Sequence, residues 1–226
     1  WISLAFSIAL TVGLMLEYKF SVVQKIKLSI VACQSSCNAK ENINIPVDEL
    51  NLIISDSALA EIKTQRQNAI DGNRDFSFVD AKLVYNNDTV LIQARLKGDR
   101  AIHFNDEAKW SFRVKTTDGK SIFNVKRFSL HRAGARNYIY EWIFHKALHS
   151  IDLIGLKYKF IRLKVDGCDL GIYAFEEHFE NSLITNNGLP LGPIIRFNED
   201  YSLDGFETTY VDPFQDKYWQ KNDPKL

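Results

Sequence analysis

From Trp1 to Leu16 the chain runs "WISLAFSIALTVGLML" without a charge, and Glu17 is the first interruption. A membrane-spanning helix needs about 20 apolar residues and a signal-peptide core fewer. The run therefore predicts a transmembrane helix over residues 1–20, with a secretory signal and a buried helix as the other readings. Lys19, Lys25 and Lys27 follow it. Orientation depends on comparing positive charge on both flanks, and only this one can be read, so the side of the membrane stays open. Residues 21–45 are mixed and polar around "CQSSCNAKEN" and read as a juxtamembrane linker.

Past Pro46 the periodicity changes, and a folded domain is predicted over residues 46–226. "ELNLIIS" alternates like a short strand, and Ser57 offers an N-cap to "ALAEIKTQRQNAI", in which Leu59, Ile62 and Ile70 share a helical stripe. "FVDAKLVYNNDTVLIQARLKGD" reads as two strands joined at Asn86-Asn87-Asp88, because asparagine and aspartate tolerate the left-handed conformations of tight turns. In "KWSFRVKTT", Trp110, Phe112 and Val114 face the core, which throws Lys109, Ser111, Arg113 and Lys115 onto the other face. "RNYIYEWIFHKALHSIDL" predicts a helix with Tyr138, Trp142 and Phe144 at bulky apolar positions and Glu141 among them. A further hairpin turns at Asp166-Gly167, and "EHFENSLI" resembles a short helix. The tail beyond "NNGLPLGP" has little periodicity. The pattern predicts an α+β fold, an antiparallel sheet with helices packed against it.

The chain has 226 residues with 28 basic and 28 acidic side chains. Zero net charge argues against bulk electrostatic binding of nucleic acid. Three cysteines, Cys33, Cys37 and Cys168, make no disulfide framework by count and read as unremarkable thiols.

Lys109, Arg113 and Lys115 on one strand face suit phosphate oxygens, although solvated basic faces are common. Glu141 in an aromatic-rich helix is costly to bury unless a cation meets it, and a lysine from the preceding strand is the natural candidate. Glu176 and Glu177 read either as a polar wall beside a bound base or sugar or as a charged helix start. His145 and His149 stand four apart without the further ligands of a zinc site. No Gly-rich phosphate loop and no Ser-centred nucleophile elbow occurs in the sequence.

The ordered segments "RLKGD", "KWSFRVK", "VKRFSL", "RNYIYEWIFHKAL" and "IGLKYKFIRLKVDGCDLGIYAFEEHFENSLI" resemble the spore-coat protein H (CotH) kinase-like family over about Pro46 to Arg196. The family's closing signature falls on Val165, Asp166, Gly167, Gly171, Tyr173 and Glu177. The resemblance implies an atypical protein-kinase-like fold that binds ATP with Mg²⁺ and phosphorylates serine or threonine of a protein substrate. It implies Lys109 or Lys115 as the phosphate-contacting lysine, Glu141 as its helix partner, and Glu177, rather than Glu176, beside the adenine. Asn124 stands where the family has glycine, and Arg196 where a lysine often follows. The acidic W-D-x-D-like metal motif does not occur through Leu226, so the chain is expected to be a catalytically incomplete fragment of a single-pass membrane protein, extracytoplasmic or at the cell surface. The rival expectation is a non-catalytic surface or coat scaffold with a structural or adhesive role.

Overall fold

The computed structural model describes residues 47–98, 100–192, 194–198 and 210–214. Among them no helix is long and apolar enough to cross a membrane. The described residues thus supply no span for the expected single-pass membrane placement; the stretch that prompted it, residues 1–20, and the linker over 21–45 both lie outside them.

The elements run β1 (Glu49–Ile53), α1 (Asp56–Ile70), β2 (Val79–Tyr85), β3 (Asp88–Leu96), β4 (Phe112–Thr116), β5 (Arg127–Arg132), α2 (Tyr140–Ser150), β6 (Tyr158–Val165), β7 (Cys168–Glu177), α3 (Asn181–Asn186), β8 (Ile194–Asn198) and β9 (Tyr210–Phe214). The first seven strands form a closed barrel in the order β1-β2-β3-β4-β5-β7-β6, and β8 and β9 form a separate two-stranded sheet. This corrects the expected kinase-like α+β fold. β1 pairs antiparallel with β2 on one edge and parallel with β6 on the other, Glu49 opposite Arg162 and Leu52 opposite Val165, so the sheet has no free edge. The helices are few.

Local chemistry explains the hairpins. Asn86 and Asn87 have φ of 49° and 63°, and Asp166 and Gly167 have φ of 49° and 79°, so both two-residue turns place two successive residues in left-handed space. Asn124 has φ of 62° and follows Phe123 at 53°. Asparagine is among the few residues that adopt this conformation cheaply, which suits it to the turn. Helix α1 begins two residues earlier than expected: Ser55, not Ser57, caps it, its Oγ accepting from the backbone N–H of Ala58 at 3.3 Å.

Alternation then fills the interior. Leu50, Leu52, Leu83, Ile92, Leu96, Val114, Phe128, Leu130, Ile161, Leu163, Tyr173 and Phe175 belong to one buried cluster, joined by Ile62 from α1. Residues between them point to the outer wall, and just past β3, over β5 and over the end of β7 that wall is buried as well. Lys97, Ser129, His131 and Glu176 all lie there, 0–8% exposed. Cys168 is disulfide-bonded, which corrects its reading as a free thiol; the other cysteines, Cys33 and Cys37, lie outside the described residues.

Candidate functional site

Strand register puts a polar cluster on the outer wall. Ser129 of β5 stands opposite Glu176 of β7, which in turn stands opposite Tyr158 of β6. Lys97 follows β3 and lies on the same wall. Its Nζ donates to Glu176 Oε2 at 2.8 Å, with the two side chains 4% and 10% exposed. His131 Nε2 lies 3.4 Å from the same oxygen, and Arg136, from the 3₁₀ turn Ala133–Arg136, reaches within 3.8 Å of Oε1.

Burial alone would push the Glu176 carboxyl up. His131 and Lys97 beside it outweigh that and hold it well below the ordinary carboxylate range. The chain thus keeps a charged pair in a dry setting, where each partner is costly without the other.

Helix α2 covers part of this wall with its polar side. His145 stacks on Tyr158 with ring centroids 5.8 Å apart, and its Nδ1 accepts from the backbone N–H of Leu156 at 3.2 Å. Glu141 Oε1 stands 3.7 Å from His145 Nε2. That ring, together with the charge of Arg136, holds the Glu141 carboxyl below its ordinary value. Burial, and then the negative charges of Glu176 and Glu141, raise the Tyr158 hydroxyl.

Beside the cluster lies a cavity of about 260 Å³, bounded among others by Trp142, His145, Tyr158, Glu177 and Asn187. Glu177 is 2% exposed; its Oε2 accepts from the backbone N–H of Lys157 at 3.0 Å. Its Oε1 has no hydrogen-bond partner, and neither do His145 Nε2 and Tyr158 Oη. Three buried polar atoms around one cavity without partners is unusual, since such groups are costly to leave unsatisfied. A ligand offering donors to Glu177 and an acceptor or aromatic face to His145, Tyr158 and Trp142 would satisfy them.

The four residues singled out from the sequence fall in different places. Glu177 lines the cavity and Glu141 approaches it through His145. Lys109 is exposed, with its Nζ 3.8 Å from where a Cβ on Gly171 would lie. Lys115 Nζ sits 4.4 Å above the ring of Phe78, a cation–π contact on the outer face of β4. The buried lysine–glutamate pair is Lys97–Glu176 instead. Sequence reasoning passed over Lys97, His131 and Arg136, although Lys97 lies within the quoted "RLKGD" and alternates with buried Leu96.

Among the described residues no group of three or more His, Cys, Asp or Glu side chains could hold a metal ion. Comparison with known proteins gave no matching family model and no matching curated protein.

His178 adds a measurable pH dependence. Burial, then the charge of Arg113, pushes it from the usual 6.5 down to about 4. Its Nε2 lies 2.8 Å from Ser129 Oγ. Between those two values the unfolded chain binds more protons, so stability is full above 6.5 and falls as the pH drops toward 4. Denaturant titrations across this range should show the protein losing on the order of 3 kcal/mol more than His178→Gln, whose side chain does not titrate. Parallel curves for the two proteins would show that His178 charges freely in the fold.

Proposed function

We propose that this chain binds a purine nucleotide, with the base in the cavity beside Glu177 and the phosphates toward Lys97 and Arg136, as part of an ATP- and Mg²⁺-dependent phosphotransferase acting on serine or threonine of a protein substrate. The observation that carries this reading is the set of unpartnered buried atoms, Glu177 Oε1, His145 Nε2 and Tyr158 Oη, around a cavity next to a buried Lys97–Glu176 pair. A carboxylate oxygen accepts from an exocyclic amine, and Trp142 and Tyr158 supply ring faces for a heteroaromatic base. About 260 Å³ suits a base and leaves ribose and phosphates outside it. A buried lysine held by a glutamate is a charge fixed in position, which is how a phosphate site avoids reorganisation. No W-D-x-D-like acidic motif occurs in the sequence, so the reading extends to binding and orientation by this chain and to no transfer step within it.

Isothermal calorimetry of the full chain with ATP, with and without Mg²⁺, tests it. Binding should weaken at least about tenfold in Glu177→Ala and in Trp142→Ala, from the loss of a hydrogen bond or a ring face. Arg136→Ala, which lies at the half-exposed edge, should weaken it without threatening the fold. If Lys109→Ala or Lys115→Ala weakens binding while Arg136→Ala does not, the phosphates lie on the β4 face instead. Absence of heat at millimolar ATP sinks the proposal.

A second reading, a non-catalytic scaffold with a structural or adhesive role, is supported by the outward apolar face of α2. It predicts no nucleotide binding at all.

A further inference from the structure

Helix α2 is turned inside out. Glu141, His145 and Leu148 face the barrel wall at half- to fully buried positions. Tyr140, Ile143, Phe144 and Ile151, spaced as one helical stripe with Ala147 between them, are 67%, 47%, 57% and 64% exposed. Tyr138 and Ile139 extend the stripe at one end and Leu153 and Ile154 at the other, at 42–68% exposure.

Fully exposed Phe and Tyr present about 150–250 Å² each and Ile and Leu less, so at these exposures the stripe leaves on the order of 700 Å² of apolar surface in water. The largest apolar patch of an ordinary monomer is roughly 300–600 Å². A standard stable interface takes about 800 Å² from each partner. The stripe is thus larger than an ordinary bare surface carries and close to what one face of a dimer takes.

It is also self-complementary. Apolar residues flank both ends, so a copy rotated by a two-fold axis meets Tyr140 with its own Ile151 and the Tyr138–Ile139 end with its own Leu153–Ile154 end. Antiparallel packing of the two helices also opposes their dipoles.

We propose that the exposed face of α2 is a two-fold interface with a second copy of this chain, the two helices packing antiparallel along the stripe. Trp142 lies at the edge of this face, 37% exposed, and also lines the cavity, so the second copy stands at the cavity mouth. The inference rests on no ligand reading and survives if ATP does not bind.

Light scattering during size-exclusion chromatography of the full chain, loaded between about 1 and 100 μM, tests it. The expected mass is twice 26.0 kDa. Ile143→Asp and Phe144→Asp should each weaken association by at least about 100-fold, because each buries an uncompensated carboxylate in the interface. Both side chains point away from the barrel, and unchanged circular-dichroism melting will confirm that the fold is intact. A wild-type mass of 26.0 kDa over this range overturns the proposal, including the case in which hydrogen exchange finds α2 covered by other residues of its own chain. Association that survives both substitutions, as assembly through residues 1–16 would, overturns it equally.

Discussion

Glu176→Ala should destabilise the fold by about 3–5 kcal/mol, the largest single effect expected from a polar substitution here. The reason is what remains behind. Lys97, with its side chain 4% exposed, donates to Glu176 at 2.8 Å, and removing that carboxylate leaves the ammonium dry beside His131 and Arg136. The same carboxyl makes stability depend on acid. Its native pKa lies well below the unfolded value of 4.5, so below about that pH the unfolded chain binds the extra proton. The contribution is full above this value and declines as the pH falls. Urea titrations at neutral pH should show the loss in Glu176→Ala, and its acid-induced decline should be shallower than that of the parent. The double substitution Lys97→Met with Glu176→Leu removes both charges and should recover most of the loss, since a buried pair often does no better than apolar side chains of its size. A cost near zero for Glu176→Ala would mean that water reaches Lys97, and the buried phosphate-side charge would lose its basis.

Hairpins with a two-residue signal were legible before the structure. Asn86-Asn87 and Asp166-Gly167 announce left-handed turns, and the alternation of "KWSFRVKTT" sorted Phe112 and Val114 from Arg113 and Lys115 correctly. Closure of the barrel was not legible. It depends on a parallel pairing between Glu49–Leu52 and Arg162–Val165, more than a hundred residues apart, and no local pattern specifies which distant strand covers an edge. Helix α2 was legible as an element and misleading as an orientation, because an apolar stripe normally faces the core. Here Glu141 and His145 do so instead, drawn to Tyr158, Arg136 and the Leu156 backbone.

The site divides the same way. Glu177 was marked only through a resemblance, and the structure places it on the cavity wall. Lys97 and His131 were missed because each looks like one polar position in an alternating strand. Their burial is created by β5, β7 and α2 meeting on one outer wall, which is a property of the register rather than of any segment.

Phe175→Ala tests the other face of the same strand and should cost about 3–5 kcal/mol. Phe175 immediately precedes Glu176, and the pleat sends it into the barrel, where it is 0% exposed. It stacks on Phe128 at 4.5 Å between centroids and meets the edge of Phe123 at 5.0 Å. Those contacts join β7 to β5 and to the Phe123–Asn124 turn, so the truncation opens a cavity that a closed barrel, tied on every edge, cannot collapse to fill. Thermal unfolding should begin roughly 6–20 °C lower, at about 2–4 °C per kcal/mol for a chain of this length. Phe175→Leu should cost less, because it keeps most of the volume and forfeits mainly the ring contacts, each worth about 0.5–1.5 kcal/mol. The comparison with Glu176→Ala separates the two faces. Acid should lower the stability of Phe175→Ala as steeply as that of the parent, since the Lys97–Glu176 pair is untouched, whereas Glu176→Ala has lost the part of that sensitivity that Glu176 supplies. If Phe175→Ala costs less than about 1 kcal/mol, the barrel interior at this end is not closely packed, and the aromatic cluster is not what holds β5, β7 and the Phe123 turn together.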